Sequence, residues 1–175
     1  MPRRHPRPLP RLWLMTDERM GEGLWPALAR LPRGAGVVFR HHATPPAARR
    51  ALLRRVEAVT RARRLRLVVA PPAARRHDLH GVRRSLRRGL VTRSAHGRTE
   101  ALRAVREGAD LLFVSPVFAT RSHPGGRALG AVRLGLMIRD LRVPVVALGG
   151  MDATRFRRLR RYGVFGWAAI DAWTR

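Results

Sequence analysis

The 175-residue sequence contains no cysteine, no lysine, no asparagine and no glutamine, and only one tyrosine. The lack of cysteine excludes a disulfide scaffold, a thiolate zinc site and a cysteine nucleophile. No apolar run approaches the roughly 18 residues that a transmembrane helix needs, so no membrane partner is expected. The N-terminal stretch MPRRHPRPLPRLWLMTDE is basic, but its apolar part is too short for the core of a signal peptide. A cytoplasmic location is the expectation.

Acidic residues are scarce too. Asp and Glu number 11 against 37 basic residues, all of them arginine, for a formal net charge of +26. Such a charge ordinarily points to nucleic acid or another polyanion. Here the arginines are spread along the chain, in stretches such as RALLRRVEAVTRARR and RFRRLRRYG, mostly between apolar helix positions. Loss of Lys and Asn with a surplus of Arg, Ala, Gly and Pro is also what a GC-biased genome produces. Solvated outer helix faces account for this pattern, and aromatic residues interleaved for base stacking are missing. Nucleic acid is therefore not the expected partner.

A hydrophobic content of 45% excludes a disordered chain, and the length suits one domain with a sizeable core. Residues 1–10 hold three arginines and four prolines without an apolar period, so a disordered arm is expected there and a single domain over 11–175. Within that domain short β-like runs alternate with helical ones. The runs are 12–15, 36–39, 65–69, a weak one at 78–82, 89–92, 111–114, 143–148 and 164–170. Several are continuously apolar, as strands covered on both faces are.

Helical stretches lie between them. Thr44 reads as an N-cap before Pro45-Pro46, followed by a stripe of Leu52, Leu53, Val56 and Val59. Ala101, Leu102 and Val105 form a second stripe closed by Gly108, and Asp152 caps a third helix that Gly163 ends. Leu24–Leu31 and Val132–Leu141 supply two more. Residues 72–88 are poorly patterned, with room for one short helix on either side of the weak strand.

Eight strand candidates alternating with helices imply an α/β fold with a parallel sheet, closed as a barrel or left open and doubly wound. No G-x-G-x-x-G follows the first strand, and eight units favour a (β/α)8 TIM barrel. The chain is shorter than the roughly 200 residues usual for that fold, so the third and fourth units must be shortened.

In a barrel, function sits in the loops after the strands. Here they read TDERMG, RHHATPP, TRSAHG, SPVFATRSHPGG, GGMDATR and DAW, and they collect histidines, hydroxyls and glycines. His41, His42, His96 and His123 all follow a strand end. Gly149-Gly150 allows backbone N–H groups to face an anion, and Thr120, Ser122 and His123 before Gly125-Gly126 offer a hydroxyl-rich lobe.

DLLFVSPVFATRSHPGGRALG, then VPVVALGGMDATRFRRLRRYGVFGWAAIDAW, resembles the C-terminal half of the thiamine phosphate synthase/TenI family. TRSAHGRTEALRAVREGAD is similar to the segment before it, and LWLMTDE and GVVFRHH resemble the first two strands. The resemblance implies a (β/α)8 barrel and two activities. The synthase joins a pyrimidine diphosphate to a thiazole phosphate with Mg2+ and basic residues on the leaving group. The TenI-type tautomerase moves a proton on a thiazole phosphate carboxylate. By position, Arg40 matches the arginine of the synthase R-E-K motif. Ser94, Thr120 and Ser122 match hydroxyls around the diphosphate, and Gly149 and Gly150 match the glycines at the thiazole phosphate.

Several positions depart from the family pattern. R-E-K has become Arg40-His41-His42, the lysine of T-x-[ST]-K is His123, and the metal-binding aspartates near His80-Gly81 are not recognisable. Asp171 stands where the family has a serine near the thiazole phosphate, and Pro116 where some tautomerases have a histidine. A diphosphate-ionising reaction needs a metal or several fixed cations. A tautomerisation needs a phosphate anchor and one group titrating near neutrality, which histidine supplies. The expectation is a TenI-like protein that binds a phosphorylated heterocycle and is not a competent synthase. Its acid/base candidates are His123, His96 and His41, and its ligand-binding candidates are Arg40, Ser94, Thr120, Ser122, Gly149, Gly150 and Asp171. No cofactor is expected unless synthase activity is retained, in which case it is Mg2+. A homodimer is compatible with the sequence. The alternatives are a non-catalytic member that binds a phosphate ligand or a protein partner, and a basic polyanion binder.

Overall fold

The computed structural model describes residues 8–72, 77–83, 89–120 and 127–173. Its centre is a closed barrel of eight parallel strands in sequential order. These are β1 (Leu12–Met15), β2 (Gly36–Phe39), β3 (Arg66–Val69), β4 (Asp78–His80), β5 (Val91–Ala95), β6 (Leu111–Val114), β7 (Val145–Leu148) and β8 (Gly166–Ala169). Outside them lie α1 (Leu24–Arg30), α2 (Pro46–Ala62), α3 (Arg98–Arg106), α4 (Gly130–Ile138) and α5 (Ala153–Leu159). Among the described residues no helix is long and apolar enough to cross a membrane.

The strands alternate inward and outward. Trp13, Met15, Val38, Val68, Leu90, Leu111, Phe113, Val146 and Ala168 form one cluster inside the barrel. The intervening residues, such as Leu112, Val114, Val145 and Ala147, pack outward with Leu134, Met137 and Leu159 of the helices. Trp13 fills the lower interior. Its ring meets Phe113 edge-on at 5.2 Å, and its Nε1–H donates to Pro10 O at 2.7 Å. Gly36, its register partner on β2, has no room for a side chain, because a Cβ there would lie 2.1 Å from the indole.

The third and fourth units are short, as the length of the chain requires. Only residues 70–77 join β3 to β4, and only residues 81–90 join β4 to β5. The ladder at this weak side is reinforced by side chains. Arg66 Nε donates to Asp78 Oδ2 at 2.8 Å, and Asp78 Oδ1 accepts the Leu90 N–H at 2.7 Å.

Four local expectations change. Residues 8–10 are not part of a disordered arm: Leu9 packs against the barrel interior and Pro10 is buried. Thr44 is not the cap of α2, which begins at Pro46 after Pro45 without a side-chain cap. Leu102 is exposed, and Ala101 and Ala104 form the buried face of α3. Strand β5 runs to Ala95, because Thr92 to Ala95 pair residue by residue with Leu111 to Val114. Its polar residues Thr92 and Ser94 conceal it from a hydrophobicity reading. Asp152 caps α5 by accepting the Arg155 N–H, and Gly108 and Gly163 take the left-handed conformation expected of helix ends.

Candidate active site

The C-terminal ends of β1, β2, β6, β7 and β8 surround a cleft of about 860 Å³. Asp17, Arg19 and Arg40 form one wall. Ser115, Pro116, Ala119 and Thr120 form the second, Leu148 to Asp152 with Arg155 the third, and Ala169 to Ala172 the fourth.

On the first wall one carboxylate organises two guanidiniums. Asp17 Oδ1 accepts Arg19 Nε–H at 2.7 Å, and Oδ2 accepts Arg19 at 3.1 Å and Arg40 at 3.2 Å. These bonds, Arg19 first, hold the Asp17 carboxyl below its usual range against the opposing effect of burial. Arg40 also donates Nε–H to Thr16 O at 3.0 Å. Burial lowers its pKa, which Asp17 and Glu18 oppose.

Gly149 and Gly150 stand opposite with φ of +92° and +60°. Both are tightly met by the β6 loop: a Cβ on Gly149 would lie 2.9 Å from Pro116 Cα, and one on Gly150 2.5 Å from Ala119 O. Arg155 closes this side. Its guanidinium donates to Gly150 O and covers the Phe118 ring.

The cleft therefore gathers Arg40, Thr120, Gly149, Gly150 and Asp171. Ser122 and His123 lie outside the described residues, as does Arg121. The Asp171 charge acts on Arg19, in the β1 loop, and the Arg155 guanidinium is turned toward Gly150 O and Asp152.

Ser94, His96 and His41 do not line the cleft. Ser94 is a strand residue whose Oγ lies 3.4 Å from His80 Nε2, inside the barrel mouth. His80 Nδ1 is 2.9 Å from Thr92 Oγ1, and burial, with the charges of Arg40, His42 and Arg93 adding, pushes this imidazole down to about 3. His41 is buried, stacked on Phe39 at 4.7 Å. Its Nδ1 is 3.0 Å from Thr16 Oγ1, and burial lowers its pKa. Thr16 Oγ1 also accepts the Arg40 N–H at 3.1 Å. His41 is thus a brace beneath the loop. His96 is exposed at the rim, with Nδ1 2.8 Å from Ser115 O. A carbonyl only accepts, so Nδ1 carries the proton and Nε2 keeps its lone pair free for base chemistry.

Sequence reasoning missed Asp17 and Arg19 as site residues. Their signal was their place in TDERMG, directly after the first strand.

Mg2+ requires several oxygen donors in regular geometry. Among the described residues no group of three His, Asp or Glu could hold a metal ion. In the cleft both Asp17 oxygens go to arginines, and Asp152 Oδ1 caps α5. Among the described residues these two carboxylates are therefore not arranged as ligands of a divalent cation.

A closed parallel eight-stranded barrel with one polar cleft at its C-terminal face is a (β/α)8 barrel of the kind that carries enzyme active sites on that face. The family model described as thiamine monophosphate synthase matches residues 73–173, and the chain belongs to that family of enzymes. It is 38% identical over 91 residues to the thiamine-phosphate synthase of Chloroflexus aurantiacus, a match covering 51% of this chain and 42% of the relative. It is 34% identical over 83 residues to that of Pyrococcus furiosus, covering 47% and 40%. The chain thus spans less than half the length of these curated relatives. The solved thiamine phosphate pyrophosphorylase from Pyrococcus furiosus shares the fold, with a TM-score of 0.73 at 24% identity over 93% of this chain and 86% of that one.

Proposed function

We propose that the protein binds a phosphorylated thiazole-type heterocycle in the cleft and acts as an isomerase of the tautomerase type rather than as a synthase. The observation that carries this reading is the meeting of Gly149-Gly150 with Thr120 and with the guanidiniums of Arg19, Arg40 and Arg155 in one cleft. Guanidiniums offer forked donors that match phosphate oxygens. Main-chain groups near paired glycines can approach such an anion without a side chain between them.

Proton transfer in this reading falls to histidine. His96 Nε2 is one group, and His123 in the β6 loop is the other. A synthase would have to stabilise a departing diphosphate, and the carboxylates of Asp17 and Asp152 are engaged by arginines and a helix cap rather than arranged for a divalent cation. Cytoplasmic location follows from this biosynthetic reading.

Titration calorimetry with a thiazole phosphate tests the binding step. Micromolar-to-millimolar binding is expected, weakened about tenfold or more by Arg40→Ala, since one charge-assisted hydrogen bond contributes roughly 1.5–3 kcal/mol. Deuterium exchange into a thiazole phosphate carboxylate tests the chemistry, and His96→Ala or His123→Ala should abolish it. Turnover of pyrimidine diphosphate and thiazole phosphate with Mg2+ at about 1 per second or faster would overturn the reading.

A further inference from the structure

Arg49 is a buried arginine on the inward face of α2. With Leu53, Val56 and Thr60 it forms the buried face of α2, and only 4% of its surface is exposed. A buried guanidinium is costly unless its donors are met. Here they are met by the main chain. Nε–H donates to His41 O at 3.1 Å, one terminal nitrogen to Pro72 O at 2.6 Å, and the other to Ala70 O at 2.7 Å and Arg40 O at 3.3 Å. The group also lies over the Phe39 ring at 5.1 Å.

The four acceptors are the carbonyls that follow β2 and β3. Only residues 70–77 link β3 to β4, and Arg49 takes up carbonyls at this shortened side of the barrel. One of them belongs to Arg40, a wall residue of the cleft. We propose that Arg49 is a positioning residue: it clips the ends of β2 and β3 together and so fixes the Arg40 guanidinium at the cleft. The proposal rests on the reading of that cleft as an anion site.

The connections are continuous. Arg49 holds the Arg40 carbonyl, and Thr16 Oγ1 holds the Arg40 N–H. With the main chain pinned on both sides, the side chain reaches back to Thr16 O and Asp17. The next residue, His41, sits at φ +36°, a left-handed conformation unusual for a side-chain-bearing residue. Arg49 holds its carbonyl, while Phe39 and Thr16 hold its ring. Loss of Arg49 would free this corner, and Arg40 would lose its fixed aim while keeping its charge.

Two measurements on the full chain decide the matter. The first needs no ligand. The Arg40 Nε–H, bonded to Thr16 O, should exchange slowly with solvent in nitrogen-detected magnetic resonance. Arg49→Met should speed that exchange about tenfold or more well below its melting temperature. Should Arg49→Met fail to fold, Arg49→Lys replaces it, since an ammonium keeps the charge but cannot bridge both strand ends. The second is a double-mutant cycle with inorganic pyrophosphate as probe. Arg49→Met should weaken binding about tenfold, but should cost nothing further in an Arg40→Ala background.

Unchanged Arg40 exchange, or losses that multiply in the double variant, would overturn the proposal. If wild type does not bind pyrophosphate, the anion reading of the cleft fails, and the exchange measurement still decides whether Arg49 sets Arg40.

Discussion

Gly150 is held at φ +60°, and Ala119 O and the Phe118 side chain occupy the space a Cβ would need. Gly150→Ala should therefore cost about 1–3 kcal/mol from the left-handed backbone alone, with more from the forced shift of the β6 loop. At roughly 2–4 °C per kcal/mol for a chain of this size, a melting curve will show a fall of several degrees. Asp171 is a second test at this scale. A carboxylate about 4 Å from a phosphate would cost on the order of 4 kcal/mol at an effective dielectric near 20. Arg19 contributes an offset: its pKa is raised above its usual range by hydrogen bonding to Asp17 first, with the Asp171 charge adding to this. Asp171→Ser should thus change phosphate affinity by less than about tenfold, and calorimetry on both forms measures it. A larger gain would mean that the Asp171 carboxylate is not neutralised. Residues such as Arg40, Thr120, Gly149 and Asp171 were legible because each follows an apolar run that a barrel gathers on one face. His41 was not, because its backbone turns the ring down onto Phe39 and Thr16, a direction no local pattern encodes.

Among the elements, the strands were legible wherever both faces are apolar, as in GVVF and LLFV. Strand β5 was misplaced because its interior face carries Thr92 and Ser94, which meet His80 rather than an apolar neighbour. The β1–β2 pair carries a sharper test. Trp13 and Gly36 are register partners, and the indole occupies the space above the glycine. Gly36→Ala should destabilise the barrel by about 1–3 kcal/mol through overpacking. In a Trp13→Leu background the same change should cost clearly less, so a denaturant-based double-mutant cycle will show coupling of about 0.5–3 kcal/mol. Additive losses would show that the strain lies elsewhere.

For the molecule as a whole, acid stability follows from a histidine buried in the barrel. His80 is pushed from 6.5 to about 3 by burial, so the unfolded chain binds a proton there that the folded chain refuses. The stabilisation is complete above about pH 6.5 and is lost as pH falls from there toward about 3, with a slope of up to about 1.4 kcal/mol per unit. Urea unfolding at pH 7, 6 and 5 should show this slope in wild type and a shallower one in His80→Gln. Equal slopes would mean that His80 titrates normally. Composition and strand–helix alternation determined by themselves that this chain is an α/β protein of eight units with two of them shortened, because apolar periodicity and chain length are local and additive quantities. The tertiary structure alone decided that Asp17 joins Arg19 to Arg40, that the Asp171 charge acts on Arg19, that His41 faces the core and that Arg49 binds the carbonyls of two strand ends. Each of these is a meeting of groups from different strands or loops, and only closure of the barrel brings them within hydrogen-bonding or charge range.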